Sequence, residues 1–238
     1  AGNDVVTLSG AALGYQGSVD AGEGIDTLSM TAANAIAASA TTTFAGTIAG
    51  FERLVVGAAA DTGTIALAKL DNINYVTTAD VANTKTLTLT GATSGFTLVN
   101  NAGTTGDGAI VVTLADATGT SDELNVSVSA AAAKDIQALT ATGFEVINFA
   151  TDDSATTPTG IAHVVSALTD ADATTISVAG DAGLDLTFTG TKVTSFDASG
   201  VTKGAVDWTS GALAAAATVK GGAGANTIDL SASSKAMN

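Results

Sequence analysis

The sequence predicts an all-β fold in which short strands stack into a β-solenoid. Three observations favour it. The 238 residues are rich in Gly, Ala, Thr and Val and only 4% are aromatic, which suits thin stacked strands better than a thick core. Segments that alternate apolar and small polar side chains recur along the chain. Clusters of Gly, Asp, Asn and Thr separate these segments, as turns separate strands.

The alternation is clearest in residues 87–90, 124–128 and 184–188, which we predict to be strands with apolar side chains on one face. Helical signal is weak. Residues 32–40 and 130–139 are each interpreted as a short helix or a turn, because neither has a convincing amphipathic face.

An internal repeat organises the chain. The tripeptide Gly-Phe-Glu occurs at residues 50–52 and 143–145, and each copy opens a predicted strand. We interpret the chain as one elongated β-rich fragment of a longer array, built from tandem units of about 95–100 residues. The interpreted units cover approximately residues 20–117 and 118–219, with the start of a further unit at 220–238.

The excess of acidic residues excludes some classes of function. Lys and Arg total 8 against 23 Asp and Glu, so the formal net charge is -15, and most of the acidic residues are Asp. Such a chain has no basic stripe to meet phosphates, so we expect no nucleic-acid partner. No apolar run is long enough for a membrane span, and the lack of Cys together with abundant Asp favours a secreted protein.

Three glycine-rich turns end in an aspartate or asparagine and precede a short predicted strand. Glycine adopts positive φ without strain, so such a turn directs carbonyl oxygens inward, and the acidic residue adds a carboxylate. These are the hard oxygen ligands that Ca²⁺ prefers. The candidate ligands in the three turns are Gly2, Asp4, Gly22, Gly24, Asp26, Gly222, Gly224 and Asn226.

Four further aspartates that stand in or beside turns complete the predicted metal-ligating set. They are Asp20, Asp122, Asp181 and Asp197. Ca²⁺ is therefore the predicted cofactor, and the alternative of ordinary aspartate turns without metal stays open for the weaker positions.

The turns resemble the repeat-in-toxin nonapeptide, and the chain as a whole resembles Caulobacter-type surface-layer proteins that carry such calcium motifs. The similar stretches are residues 117–122, 180–184, 193–199 and 221–225, together with the Gly-Phe-Glu strands. In that family consecutive turns lie about 18 residues apart. Here the spacing from Asp4 to Asp26 is wider, and Asn226 is a neutral residue at the acidic position.

The resemblance implies a β-solenoid subunit that leaves the cell by type I secretion, folds with Ca²⁺ and assembles with copies of itself into a lattice on the bacterial surface. It also adds cell-surface polysaccharide as a partner of another region. A repeat module of a secreted adhesin is the alternative. An ice- or sugar-binding solenoid would need a flat Thr-x-Thr ladder or an aromatic groove, and residues 86–90 supply one rung of such a ladder.

Catalysis is not expected. The sole histidine, His163, stands in an apolar segment, where a lone histidine is usually structural. The sequence also has no nucleophile elbow, phosphate-binding loop or zinc constellation.

Overall fold

The fold is a β-solenoid of about nine turns, in which 47% of the described residues lie in strands and 6% in helices. The structure is a computed structural model that describes residues 2–9, 17–100, 108–136 and 138–235. The predicted fold class, an all-β solenoid of stacked strands, is confirmed, and the structure adds that the paired strands are parallel.

Two long parallel sheets form the walls of the solenoid, and every hydrogen-bonded neighbour within a sheet is one coil away along the chain. Sheet 1 contains, in spatial order, β1 (Val5–Leu8), β3 (Thr27–Met30), β5 (Arg53–Val56), β7 (Tyr75–Thr78), β9 (Phe96–Asn100), β11 (Glu123–Ala130), β13 (Val146–Asp153), β15 (Thr175–Gly180), β17 (Ser195–Val201) and β19 (Thr218–Lys220).

Sheet 2 faces sheet 1 across the core. In chain order it contains β6 (Gly63–Ala66), β8 (Thr86–Ala92), β10 (Ala109–Leu114), β12 (Ala138–Thr142), β14 (Ala162–Thr169), β16 (Gly183–Phe188), β18 (Val206–Thr209) and β20 (Thr227–Asp229). A third, two-stranded sheet pairs β2 (Val19–Asp20) with β4 (Ile48–Ala49).

The single α-helix of the described residues, α1 (Ala32–Ser39), packs beside β6. It begins where the Thr31 side chain accepts a hydrogen bond from the Asn34 N–H, an N-cap that satisfies one of the free amides of the first turn. Its buried residues are mostly alanine, so the helix lies close to the sheet. Short 3₁₀ helices at Ala45–Thr47 and Leu67–Lys69 connect strands elsewhere.

The strand predictions are confirmed in β8, β11 and β16, and the helix at residues 32–40 is confirmed as α1. Of the two alternatives predicted for residues 130–139, a short helix or a turn, the structure has the non-helical one. Ala130 ends β11 and Ala138 begins β12, because both flanks pair with neighbouring coils, and the described residues 131–136 between them are not helical.

The length of a coil varies along the solenoid, as the register of sheet 1 shows. Thr175 of β15 pairs with Val146 on one side and with Ser195 on the other. The coil that ends at Thr175 is therefore longer than the coil that begins there. The strands keep their pairing while the connecting loops change in length, so no fixed short period is visible in the sequence.

The core is a single continuous cluster of apolar side chains between the two sheets. Aromatic rings fill it at intervals, and the largest, Trp208 of β18, stacks on Phe196 of β17 with ring centroids 4.2 Å apart and planes 2° from parallel. This contact joins sheet 1 to sheet 2 across the core.

On the outer face of sheet 1 a polar ladder runs from coil to coil. The Asn148 side-chain N–H donates to Asn125 Oδ1 at 3.1 Å, and the Ser177 hydroxyl donates to Asn148 Oδ1 at 2.7 Å. Each bond links two neighbouring strands, so this ladder supports the register that the backbone sets.

Candidate metal centre

The turn before β3 contains a buried carboxylate that is only half satisfied. Asp26 is fully buried, and its Oδ1 accepts a hydrogen bond from the Asp4 N–H at 2.6 Å. Its own N–H donates to Glu52 Oε2 at 2.9 Å. Its second oxygen, Oδ2, is buried without a hydrogen-bond partner. A buried, unpartnered carboxylate oxygen is costly unless a proton or a cation neutralises it.

Gly24 lets a backbone carbonyl oxygen approach the Asp26 carboxylate. A Cβ atom on Gly24 would lie 2.1 Å from the Gly2 carbonyl oxygen and 3.3 Å from Asp26 Oδ1, so only glycine fits. Gly22 and Gly24 also have φ of +85° and +155°, which glycine adopts without strain. The turn thus combines a carboxylate with a neighbouring backbone carbonyl, the donor set that suits Ca²⁺.

The turn before β20 has a similar arrangement, with Asn226 in the position that Asp26 occupies in the turn before β3. Asn226 Oδ1 accepts a hydrogen bond from the Val206 N–H at 3.0 Å, as Asp26 Oδ1 does from Asp4. A Cβ atom on Gly224 would lie 2.4 Å from the Gly204 carbonyl oxygen, which matches the approach of Gly24 to Gly2. The corresponding residues are Gly2 and Gly204, Asp4 and Val206, Gly24 and Gly224, and Asp26 and Asn226.

The Asn226 side chain has no unused atom. Its Nδ2 donates to the Gly222 carbonyl at 2.8 Å and to the Gly224 carbonyl at 2.9 Å. The two turns differ in backbone as well, because Gly222 and Gly224 do not have the positive φ of Gly22 and Gly24. Asn226 is exposed, whereas Asp26 is covered by the coils on both sides.

The two Gly-Phe-Glu copies occupy equivalent positions. Glu145 Oε2 accepts from the Asp122 N–H at 2.9 Å, as Glu52 does from Asp26. Asp122 Oδ2 is also buried without a partner, and a Cβ atom on Gly119 would lie 2.2 Å from it. Asp26 and Asp122 are therefore two versions of one arrangement, four coils apart in sheet 1.

A third acidic residue in each copy was not among the predicted ligands. Asp71 Oδ2 accepts from the Phe51 N–H at 2.8 Å, and the Asp170 carboxylate accepts from the Phe144 N–H. Asp170 lies farther along the chain from Phe144 than Asp71 does from Phe51, so a fixed spacing does not reveal the pair. The signal in the sequence was only that an aspartate follows each Gly-Phe-Glu strand by roughly one coil.

Asp170 is 1% exposed, and its Oδ2 has no partner. Burial, with the nearby Asp172 carboxylate, raises the pKa of Asp170 to about 6 against the pull of backbone N–H donors. An acid whose pKa is higher in the fold than in the unfolded chain destabilises the fold when ionised. This cost is absent below the ordinary pKa of 3.8, grows as the pH rises from there and is complete above about pH 6.

Three of the four aspartates predicted outside the glycine turns have protein partners. Asp20 Oδ1 accepts from the Gly22 N–H at 3.0 Å, and Asp181 Oδ1 accepts from the Asp153 N–H at 2.8 Å. Asp197 pairs with Lys220 at 2.7 Å, and this contact, with hydrogen bonds from Ser199, lowers the pKa of Asp197 to about 2. These contacts are those of turns and of a surface ion pair.

Within the described ranges no three His, Asp or Glu side chains come together as a metal-ligating group. A cation at the Asp26 turn would therefore depend on backbone carbonyls for most of its ligands, as Ca²⁺ sites often do. The two nitrogens of His163 are both used. Nδ1 accepts from the Lys134 N–H at 3.1 Å, and Nε2 lies 3.1 Å from the Asp152 carbonyl oxygen.

The outer face of sheet 2 carries a threonine array, of which the sequence alone indicates only one rung. Register places Thr88 and Thr90 of β8 beside Val111 and Thr113 of β10, and these beside the Thr-x-Thr of β12. The two rows are Thr64, Thr88, Val111, Thr140 and Ala66, Thr90, Thr113, Thr142. All eight are exposed or partly exposed, and none is charged.

Comparison with known proteins found no matching family model, curated protein or solved structure. Among the described residues no helix has the length and apolar character to cross a membrane. Function is therefore inferred from the chain's own residues.

Proposed function

We propose that the protein is a structural subunit of a bacterial surface layer, which folds with Ca²⁺ outside the cell and assembles with copies of itself into a two-dimensional lattice. One observation carries the calcium part of this proposal: Asp26 Oδ2 is buried and unpartnered in a glycine turn that brings the Gly2 carbonyl close to Asp26 Oδ1. A divalent cation there would neutralise the carboxylate and accept electron density from the carbonyls.

The net charge of the chain also supports calcium-dependent folding. At -15 the chain repels itself, and this repulsion opposes the compact folded state. Bound Ca²⁺ would remove it locally, so that the binding free energy becomes folding free energy. Calcium is scarce in the cytosol and abundant outside, so the chain would stay loose during export and become rigid at the cell surface.

The test compares thermal unfolding by circular dichroism in calcium and in EGTA. We expect calcium to raise the melting temperature, because a ligand at 100 times its Kd adds about 2.7 kcal/mol of stability. Asp26→Asn should lose part of this calcium effect. The control Asp61→Asn removes the same charge at an exposed side chain and should keep all of it.

Equal melting temperatures and equal strand content in calcium and in EGTA would contradict the proposal. The lattice part has a separate test, which is electron microscopy of the full-length protein with calcium. Ordered sheets would support a surface-layer subunit. Isolated filaments would instead support a repeat module of a secreted adhesin.

The threonine array favours a second candidate function, ice binding. Neighbouring strands lie about 4.8 Å apart and alternate residues of one strand about 6.6 Å apart, so the two rows form a regular grid of hydroxyl and methyl groups. Threonine is stiff at χ1, which holds these groups in place before a partner arrives. A rigid uncharged grid suits an ordered water lattice.

Thermal hysteresis and ice-recrystallisation assays test this candidate. We expect the protein to slow ice growth and the double variant Thr88→Lys/Thr140→Lys to abolish the effect, because two long charged side chains break the grid. The control Thr97→Lys places the same side chain on sheet 1 and should leave activity unchanged. Ice growth that the unsubstituted protein does not alter would rule the candidate out.

A further inference from the structure

The two matching glycine turns differ in one chemical respect at their centre. A carboxylate only accepts hydrogen bonds, whereas a side-chain amide accepts through its oxygen and donates twice through its nitrogen. Asn226 uses all three possibilities, toward Val206, Gly222 and Gly224. Asp26 makes the first of these bonds, to Asp4, and its Oδ2 stands where the amide nitrogen would be, without a donor.

We propose that the Asn226 amide takes the place that a cation holds in the Asp26 turn, so that the turn before β20 closes without metal. This inference rests on the proposed function for the Asp26 side only. An N–H₂ group and a cation both accept electron density from carbonyl oxygens, and the amide nitrogen lies 2.8 and 2.9 Å from the two glycine carbonyls. The Asp26 turn, near one end of the solenoid, would thus depend on an ion, whereas the Asn226 turn, near the other end, would not.

The proposal makes the two turns interconvertible by single substitutions. Asn226→Asp removes both donors and leaves a carboxylate beside the carbonyls of Gly222 and Gly224, which is a cation site. Asp26→Asn supplies an N–H₂ group where Oδ2 lacks a partner, which removes the need for a cation. Asn226 is exposed, so the Asp variant disturbs one surface turn and leaves the core between the sheets intact.

The experiment measures calcium stoichiometry by isothermal titration calorimetry and amide hydrogen exchange at residues 221–228, with and without calcium. We expect Asn226→Asp to bind one more Ca²⁺ than the unsubstituted protein and Asp26→Asn one fewer. In Asn226→Asp, calcium should slow exchange at 221–228 by about tenfold or more. In the unsubstituted protein the exchange there should be the same with and without calcium.

Two controls separate this effect from a change in charge or a lost side chain. Asn83→Asp adds the same charge in an exposed turn and should leave the stoichiometry unchanged. Asn226→Ala removes the donors without adding a ligand, so exchange at 221–228 should be faster in calcium and in EGTA alike.

The proposal that the Asn226 amide replaces a cation would be refuted if Asn226→Asp bound no additional calcium. It would also be refuted if calcium protected residues 221–228 from exchange in the unsubstituted protein. Neither result tests whether Asp26 binds a cation. If instead Asp26→Asn binds as much calcium as the unsubstituted protein, the cation at Asp26 is refuted. A gain in Asn226→Asp would still uphold the part of the inference that concerns Asn226.

Discussion

Trp208→Ala is expected to lower the free energy of unfolding by about 3–5 kcal/mol, the usual cost of truncating a large buried aromatic side chain. Trp208 is 1% exposed and stacks on Phe196 of the opposite sheet. Its loss would remove this contact and leave a cavity where β17 and β18 meet across the core. Urea unfolding followed by circular dichroism measures the change, with an unchanged slope showing that the unfolding transition is otherwise the same.

Trp208→Phe is the matched control. It keeps an aromatic ring against Phe196 and removes the indole Nε1, which is buried without a hydrogen-bond partner. We therefore expect it to cost less than about 2 kcal/mol, because the lost packing is partly offset by the removal of an unsatisfied donor. If the alanine and phenylalanine variants were equally stable, the stacked pair would not hold the two sheets together.

Gly180→Ala should destabilise the protein by about 3 kcal/mol or more. Gly180 has a φ of +141°, and a Cβ atom there would lie 1.7 Å from the Thr151 carbonyl oxygen. The obstacle is backbone, and Thr151 pairs with Gly180 in register between β13 and β15, so neither side can move without breaking the pairing. Thermal and urea unfolding measure the loss.

Substitutions at two other glycines distinguish the cost of the steric clash at Gly180 from the cost of placing alanine at a positive φ. Gly95 has a φ of +82° but open space around its Cβ position, so Gly95→Ala should cost only about 1–2 kcal/mol. Gly46 has neither a positive φ nor a near neighbour, and Gly46→Ala should stay within about 1 kcal/mol of the unsubstituted protein. A Gly180→Ala variant as stable as Gly46→Ala would show that the coils are not packed this closely.

The strands could be predicted because their signal is local. Alternating side chains in β8, β11 and β16 each place one face on the core within a few residues, and the structure buries those faces. The positive φ of Gly22 and Gly24 follows from local turn chemistry in the same way. Local patterns also identified Asp26 and Asn226 as equivalent positions in glycine turns.

Features that depend on neighbouring coils could not be predicted. Asp71 and Asp170 accept hydrogen bonds from the N–H groups of Phe51 and Phe144, which lie one coil earlier, just before β5 and β13. The threonine rows come from strands of successive coils. Because loop length varies from coil to coil, residues that meet in space keep no constant separation in sequence. One threonine rung is therefore visible in the sequence, whereas the rows are not.

The amino-acid sequence by itself determined that this chain makes strands separated by glycine turns with an acidic or amide residue at their end. The tertiary structure decided which of those side chains are satisfied. Asp26 and Asn226 each receive an N–H from the preceding coil, but only the amide can also donate to its own turn. The difference is physical: strand formation depends on near neighbours, whereas the pairing of a buried oxygen depends on donors that only the stacking of coils brings within reach.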